Sequence, residues 1–219
     1  QLHLRESVLG SVNLFECLRE RADCRTLHLG SSTEYGARAE PLREELALRP
    51  TSFRGASKAA ACMFALELAQ TQWVAVIRPF SIYGPWESPE RFIPTMVRRA
   101  RAGEPLRLTA AGVRHDFVHV DDVVEACWRA LRHDGARGQI VNVGSGVQTA
   151  NEEVAAVIKR LTGSRSTIEL GAHPAHAPDT AHWVADCAHT RRLLGWQPTV
   201  SLEAGLARYV AWAGRDRGA

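Results

Sequence analysis

Residues 55–80, GASKAAACMFALELAQTQWVAVIRPF, decide how this chain folds. The first part, 55–70, is rich in Ala with Leu, Met, Glu and Lys and has no breaker after Gly55, which predicts a helix. Ala56, Ala59 and Ala60 give that helix a small-residue face for close packing on a sheet. Two residues later WVAVIRPF (73–80) predicts a strand, closed by Tyr83-Gly84-Pro85. Working outward, RTLHLGS (25–31) reads as a buried strand, and Val8, Leu9, Val12, Phe15 and Leu18 recur at helical spacing across 4–21. Downstream come a helix near 91–102, strands at 105–110 and 115–120, and a helix that Asp121 or Asp122 opens as N-cap. A strand at 139–145 and helices at 150–162, 187–194 and 202–213 complete the chain, with Gly195, Trp196 and Pro198 as punctuation. Strands alternating with helices call for an α/β fold with a parallel sheet and crossover connections. Such sheets bind ligands beyond the carboxyl ends of their strands, here 31–36, 78–81 and 142–146.

Composition narrows the function classes. The 219 residues are 45% hydrophobic and 23% charged, the profile of a globular protein able to bury a core without disulfides or metal. A net charge of +3, from 27 basic and 24 acidic residues intermixed along the chain, argues against a nucleic-acid partner. No apolar run reaches 18 residues and QLHLRESVLG lacks signal-peptide features, so the expectation is a cytoplasmic protein without a membrane span. Cys17, Cys24, Cys62, Cys127 and Cys187 show no metal-ligand spacing and read as reduced, small apolar residues. His173, His176 and His182, near Asp179, fall in a loop without the fixed geometry a metal needs, so no metal is expected. Arg98, Arg99 and Arg101 read as a solvated helix face, and Trp196 and Trp212 as packing residues.

Six motifs in order carry a resemblance: SSTEYG, PTSFRGASK, RPFSIYGP, the run from RFIPTMV through GEPLRL to HDFVHVDDVVEA, VNVGSG, and LGWQPTVSLEAGL. Together they are similar to the extended short-chain dehydrogenases/reductases, and more narrowly to the NAD-dependent nucleotide-sugar epimerases, dehydratases and reductases. The resemblance implies a partial Rossmann-like parallel sheet with a small C-terminal α/β substrate-binding lobe. It assigns 1–85 and 115–145 to the Rossmann-like part and 86–114 and 146–219 to the lobe. In that family a GxxGxxG turn at the start of the fold presents backbone N–H groups to the NAD pyrophosphate. No such turn occurs in these residues. The expectation is either a C-terminal piece of a longer enzyme or a gene that has shed its dinucleotide half. NAD or NADP is implied if an N-terminal half exists, and the chain alone has the alternative of no cofactor.

The same resemblance places Ser31 and Lys58 at the family's catalytic Ser/Thr and Lys positions, with Arg54 where the catalytic Tyr belongs. Arginine stays protonated and cannot serve as the general base a phenolate would be, though it can stabilise an oxyanion or clamp a carboxylate. A surface role for Arg54 at the helix start is the alternative. Lys58, Pro79 and Phe80 fall at cofactor-side positions. Substrate-side positions fall on Ser32, Thr33, Ser81, Trp86, Arg114, His115 and His176. Ser32 and Thr33 replace the Asp-Glu pair of the 4,6-dehydratases, and Glu34, one place later on a strand, should face the other way. Ser81 stands for an Asn, and His115 and His176 for two diphosphate-gripping arginines, with Arg114 beside His115. The expected substrate is a nucleotide sugar, and helices 4–21 and 55–70 are expected to build a homodimer. Three functions follow: a 4-epimerase or 4-ketoreductase with altered redox chemistry, a cofactor-independent enzyme acting on a small metabolite through Arg54 and Ser31, and a non-catalytic binding subunit.

Overall fold

The computed structural model describes residues 2–21, 23–174 and 180–215. A π-helical turn, Leu4–Leu9, runs into α1 (Gly10–Leu18), followed by β1 (Arg25–Leu29), α2 (Phe53–Leu68) and β2 (Trp73–Pro79). Next come β3 (Ser81–Tyr83), α3 (Phe92–Arg101), β4 (Leu106–Arg107), β5 (Arg114–His119), α4 (Val120–Arg132) and β6 (Ile140–Val143). The chain continues through β7 (Gln148–Ala150), α5 (Asn151–Thr162), β8 (Ile168–Glu169), α6 (Ala188–Leu194) and α7 (Leu202–Ala213).

A parallel sheet in the order β1-β2-β6 forms the centre, with Leu29 beside Ile77 and Pro79 beside Val143. Alternate residues of β2 explain its unbroken apolar sequence. Val74 and Val76 pack with Phe15, Cys62, Ala65 and Leu68, while Ala75 and Ile77 pack against Val123, Ala126, Leu194 and Trp196. Both faces of the strand are thus covered by helices, so neither needs a polar register. A second sheet, β3-β5-β7, has β3 parallel and β7 antiparallel to β5. It packs with α3, α5 and α7 around Tyr83, Met96, Phe117, Ile158 and Leu206. A third pair, β4 with β8, is parallel. No helix among the described residues is long and apolar enough to cross a membrane.

Several local expectations are corrected. The strand expected over 25–31 stops at Leu29, because Ser31 caps a 3-10 turn, Ser32–Glu34. The strand expected over 105–110 shrinks to two residues, and β3, β7 and β8 are too short for a periodicity to reveal. His119, not Asp121 or Asp122, caps α4, its Nδ1 accepting from the Asp121 N–H (3.2 Å). Asp122 instead accepts from the Thr199 N–H (3.0 Å), the Thr199 hydroxyl (2.8 Å) and the Val200 N–H (3.0 Å), tying the C-terminal segment to α4. The buried face of α2 is Gly55, Ser57, Ala59, Ala61, Cys62, Ala65 and Leu68, so Ala56 points to solvent and Ala60 is only half-buried.

Candidate functional site

The carboxyl ends of the parallel strands are bolted together by a buried polar chain. In the turn after β1, the Ser31 N–H donates to Glu34 Oε1 (2.7 Å), and the Thr33 N–H to Ser31 Oγ (3.2 Å), a reciprocal capping box. Glu34 is fully buried and faces inward, the reverse of the strand-based expectation, because the 3-10 turn redirects it. Its Oε2 accepts from Arg78 Nε at 2.8 Å. Arg78, 2% exposed, also donates to the Tyr35 hydroxyl (3.0 Å), which donates to Asn142 Oδ1 (2.7 Å). Asn142 Nδ2 in turn donates to the Leu42 carbonyl (2.9 Å). Burial pushes the Tyr35 hydroxyl up to about 12, and the Arg78 charge acts against that rise. Glu34, Arg78 and Asn142 thereby hold the ends of β1, β2 and β6 in fixed relation.

Against this turn lies the start of α2. Gly55 makes the approach tight: a Cβ there would stand 2.5 Å from the Thr33 carbonyl oxygen. Ser52 caps the helix, its Oγ accepting from the Gly55 N–H (3.0 Å). Arg54 and Lys58 are one helical turn apart and share a face. Lys58 is half-buried and donates from Nζ to the Leu29 carbonyl at the end of β1 (2.9 Å). Burial, then the Arg54 charge, push its ammonium below the ordinary lysine value, and Glu34 opposes them. Arg54 is exposed; its carbonyl accepts from the Ser57 hydroxyl (3.0 Å), and its guanidinium makes no hydrogen bond or ion pair among the described residues. Ser31, half-buried, has its Oγ 2.8 Å from Thr33 Oγ1. One hydroxyl and two cations therefore gather where β1 ends.

Because β1 and β2 are parallel and level, Ser31 leaves the sheet on the same side as Phe80 and Ser81. Ser31, Arg54 and Lys58 do not line the cavity of about 650 Å³ that opens between β3, α3, the β4–β5 segment and the start of α5. Ser81 and His115 line it. So do Arg91, Arg99, Arg107, Glu87 and Asn151, none of which was singled out as binding from the sequence. Arg99 shows the signal that was available: Phe92, Thr95, Met96 and Arg99 follow helical spacing and all line the cavity, so Arg99 departs from the solvated face expected of its charge run. Its Nε donates to the Pro105 carbonyl (2.7 Å), and its other nitrogen lies 3.4 Å from Glu104.

Other candidates lie elsewhere. Ser32 is buried and its Oγ accepts from Trp183 Nε1 (3.1 Å), so it supports the turn instead of facing the cavity. Thr33 stays within the capping turn. Arg114 approaches Glu153 (3.9 Å), on the strand face opposite His115. Trp86 is 79% exposed, has the left-handed φ of +70°, and packs edge-on to Trp212 at 5.7 Å. Pro79 ends β2, and Phe80 packs against Tyr35, Leu42 and Trp183. His176 lies outside the described residues.

Comparison with known proteins decides the family. A model described as the NAD dependent epimerase/dehydratase family matches residues 2–144. The chain belongs to that family. A UDP-glucose 4-epimerase of Mycolicibacterium smegmatis is 32% identical over 213 residues, covering 93% of this chain and 67% of the relative. A UDP-glucuronate 4-epimerase of Thermodesulfobacterium geofontis is 26% identical over 97% of this chain and 66% of its own length. The solved structure of MoeE5 in complex with UDP-glucuronic acid and NAD superposes with a TM-score of 0.88 at 30% identity, covering 97% of this chain and 72% of that one. A dTDP-glucose 4,6-dehydratase from Bacillus anthracis in complex with NAD gives 0.87 at 29% identity, covering 96% and 68%. This epimerase/dehydratase-family chain thus spans about two thirds of the length of the curated relatives it matches.

Proposed function

We propose that the chain forms the catalytic helix and substrate wall of a 4-epimerase-like or 4-ketoreductase-like enzyme acting on nucleotide-diphosphate sugars, with altered redox chemistry. The observation that carries this reading is Arg54, one turn before Lys58 and beside the Ser31 turn, at the position where the family's proton-exchanging tyrosine is expected. The Ser31 hydroxyl is placed to hydrogen-bond a reacting oxygen. Arg54 and Lys58 supply positive charge that stabilises that oxygen as an oxyanion. Neither a guanidinium nor an ammonium accepts the proton that leaves a sugar hydroxyl, and that missing base is the altered part.

Arg91, Arg99 and Arg107 bring cations to the cavity and suit a diphosphate, where His115 alone would be weak. Ser32 and Thr33 supply no carboxylates, which disfavours the 4,6-dehydratase reaction. The Lys58 ammonium, with one donor spent on Leu29 and set at the strand ends, fits the ribose end of a nicotinamide cofactor. When bound, that cofactor supplies hydride exchange, held by Lys58 with Pro79 and Phe80 as the adjoining wall. In this reading 1–85 and 115–145 form the cofactor side, and 86–114 and 146–219 the substrate side. Exposed Leu4, Leu9 and Leu14 in the first helical segment and Met63 and Phe64 on α2 support a homodimer through these helices.

The Arg54 guanidinium, without a hydrogen bond or ion pair among the described residues, also favours a second reading, a cofactor-independent enzyme using Arg54 and Ser31. The test is Arg54→Tyr in the full chain, assayed with UDP-glucose and NAD or NADP. The nucleotide-sugar reading expects hydride exchange to rise by about 10²-fold, the scale of a restored general base. Unchanged or slower exchange in a variant that binds the cofactor overturns the place given to Arg54.

A further inference from the structure

The cavity holds a carboxylate that the chemistry above does not use. Glu87 follows the Tyr83-Gly84-Pro85 corner, with its N–H donating to the Gly84 carbonyl (3.2 Å) and its side chain 10% exposed. Oε1 accepts from Arg91 Nε at 2.8 Å, which fixes the orientation of the carboxylate. Oε2 is enclosed and has no hydrogen-bond partner among the described residues. Thr109 Oγ1 and Asn151 Oδ1 are in the same condition, and both residues line the same cavity. Buried acceptors without donors are costly in a folded protein, and such groups gathered round one void mark a place where a ligand brings the donors. Burial also pushes the Glu87 carboxyl above its ordinary value, against the pull of Arg91.

We propose that Glu87 is a specificity-determining residue whose Oε2 accepts a hydrogen bond from a hydroxyl or N–H of the cavity's ligand, with Thr109 and Asn151 taking further donors. The ligand is therefore rich in donors on this side, as a sugar or nucleoside is, and a bare polyanion leaves these oxygens unpaired. A site built around an acceptor rejects analogues lacking the donor far more strongly than an apolar pocket rejects a missing methylene. The proposal rests on the nucleotide-sugar reading and names the residue that chooses among such ligands.

The test is calorimetric titration of UDP-glucose and of inorganic diphosphate at pH 8 into the wild-type full chain, Glu87→Gln and Glu87→Leu, with the melting temperature of each protein measured without ligand. Glu87→Gln can keep its one oxygen for Arg91 and then places an NH2 where Oε2 stood, so it should lose about tenfold or more in UDP-glucose affinity, as should Glu87→Leu. Diphosphate affinity should not fall in either variant, and Glu87→Gln, which keeps an oxygen for Arg91, should melt with wild type, whereas Glu87→Leu also gives up the Arg91 contact. UDP-glucose binding by Glu87→Leu within about threefold of wild type overturns the assignment and leaves the nucleotide-sugar reading standing. A lowered melting temperature in both variants, with affinity falling in step, assigns Glu87 to holding Arg91 and also overturns it. If wild type takes up neither UDP-glucose nor any other UDP, dTDP or GDP sugar, both readings fall together.

Discussion

Arg78 lies in WVAVIRPF as one charge in an apolar strand, and a charge there survives only if it is paired. Its partners are Glu34 and Tyr35, with the Cys62 sulfur 3.6 Å from the guanidinium. Removing one member of such a pair leaves the other charge buried and alone. Arg78→Met is accordingly expected to cost about 3–5 kcal/mol in urea unfolding, while the double change Arg78→Met with Glu34→Gln recovers part of that loss. Equal stability of Arg78→Met and wild type would show that the network does not hold the strand ends. Arg54 is the contrasting case. It is exposed, so its replacement should leave stability nearly untouched and act on chemistry alone.

Helices and strands show which signals a sequence carries. Long periodic segments such as α2 and α5, and the doubly covered β2, were legible because burial imposes a period or an unbroken apolar run over many residues. The short β3, β7 and β8 were not, since two or three residues carry no period. The proposal for Ser31, Arg54 and Lys58 comes from a motif, and α2 sets Arg54 and Lys58 one helical turn apart. Glu34 was misjudged because a capping turn overrode strand alternation. Arg107, Glu87 and Asn151 come from three separate segments, and only the tertiary fold brings them to one cavity. The first helical segment and α2 also expose Leu4, Leu9, Leu14, Met63 and Phe64. Apolar side chains in that number on adjacent helices suit a second copy of the chain. Light scattering should give the mass of a dimer, and Met63→Glu with Leu14→Glu should convert it to a monomer; a monomeric wild type removes the interface.

Taken as a whole, the molecule joins the parallel β1-β2-β6 sheet to a second sheet, β3-β5-β7, and the cavity is lined from β3, β5 and α3. Its stability should depend on acidity through His28, which is buried on β1, edge-on to Phe15 at 5.7 Å, with Nε2 unpartnered among the described residues. Burial, helped by the charges of Lys58 and Arg78, lowers its value from 6.5 to about 4. Because the folded value lies below the unfolded one, the unfolded chain takes up the proton first. Stability is therefore complete above about pH 6.5 and declines by about 3 kcal/mol as the pH falls towards 4. Urea midpoints measured from pH 7 to 4 should drop less steeply in His28→Leu than in wild type; parallel curves would contradict the assignment.

The nucleotide-sugar site itself is the central claim, and calorimetric titration of a panel of UDP, dTDP and GDP sugars into the full chain tests it most directly. The account predicts saturable binding of at least one of them, weakened about tenfold or more by Arg107→Ala. No affinity for any member of the panel would contradict it.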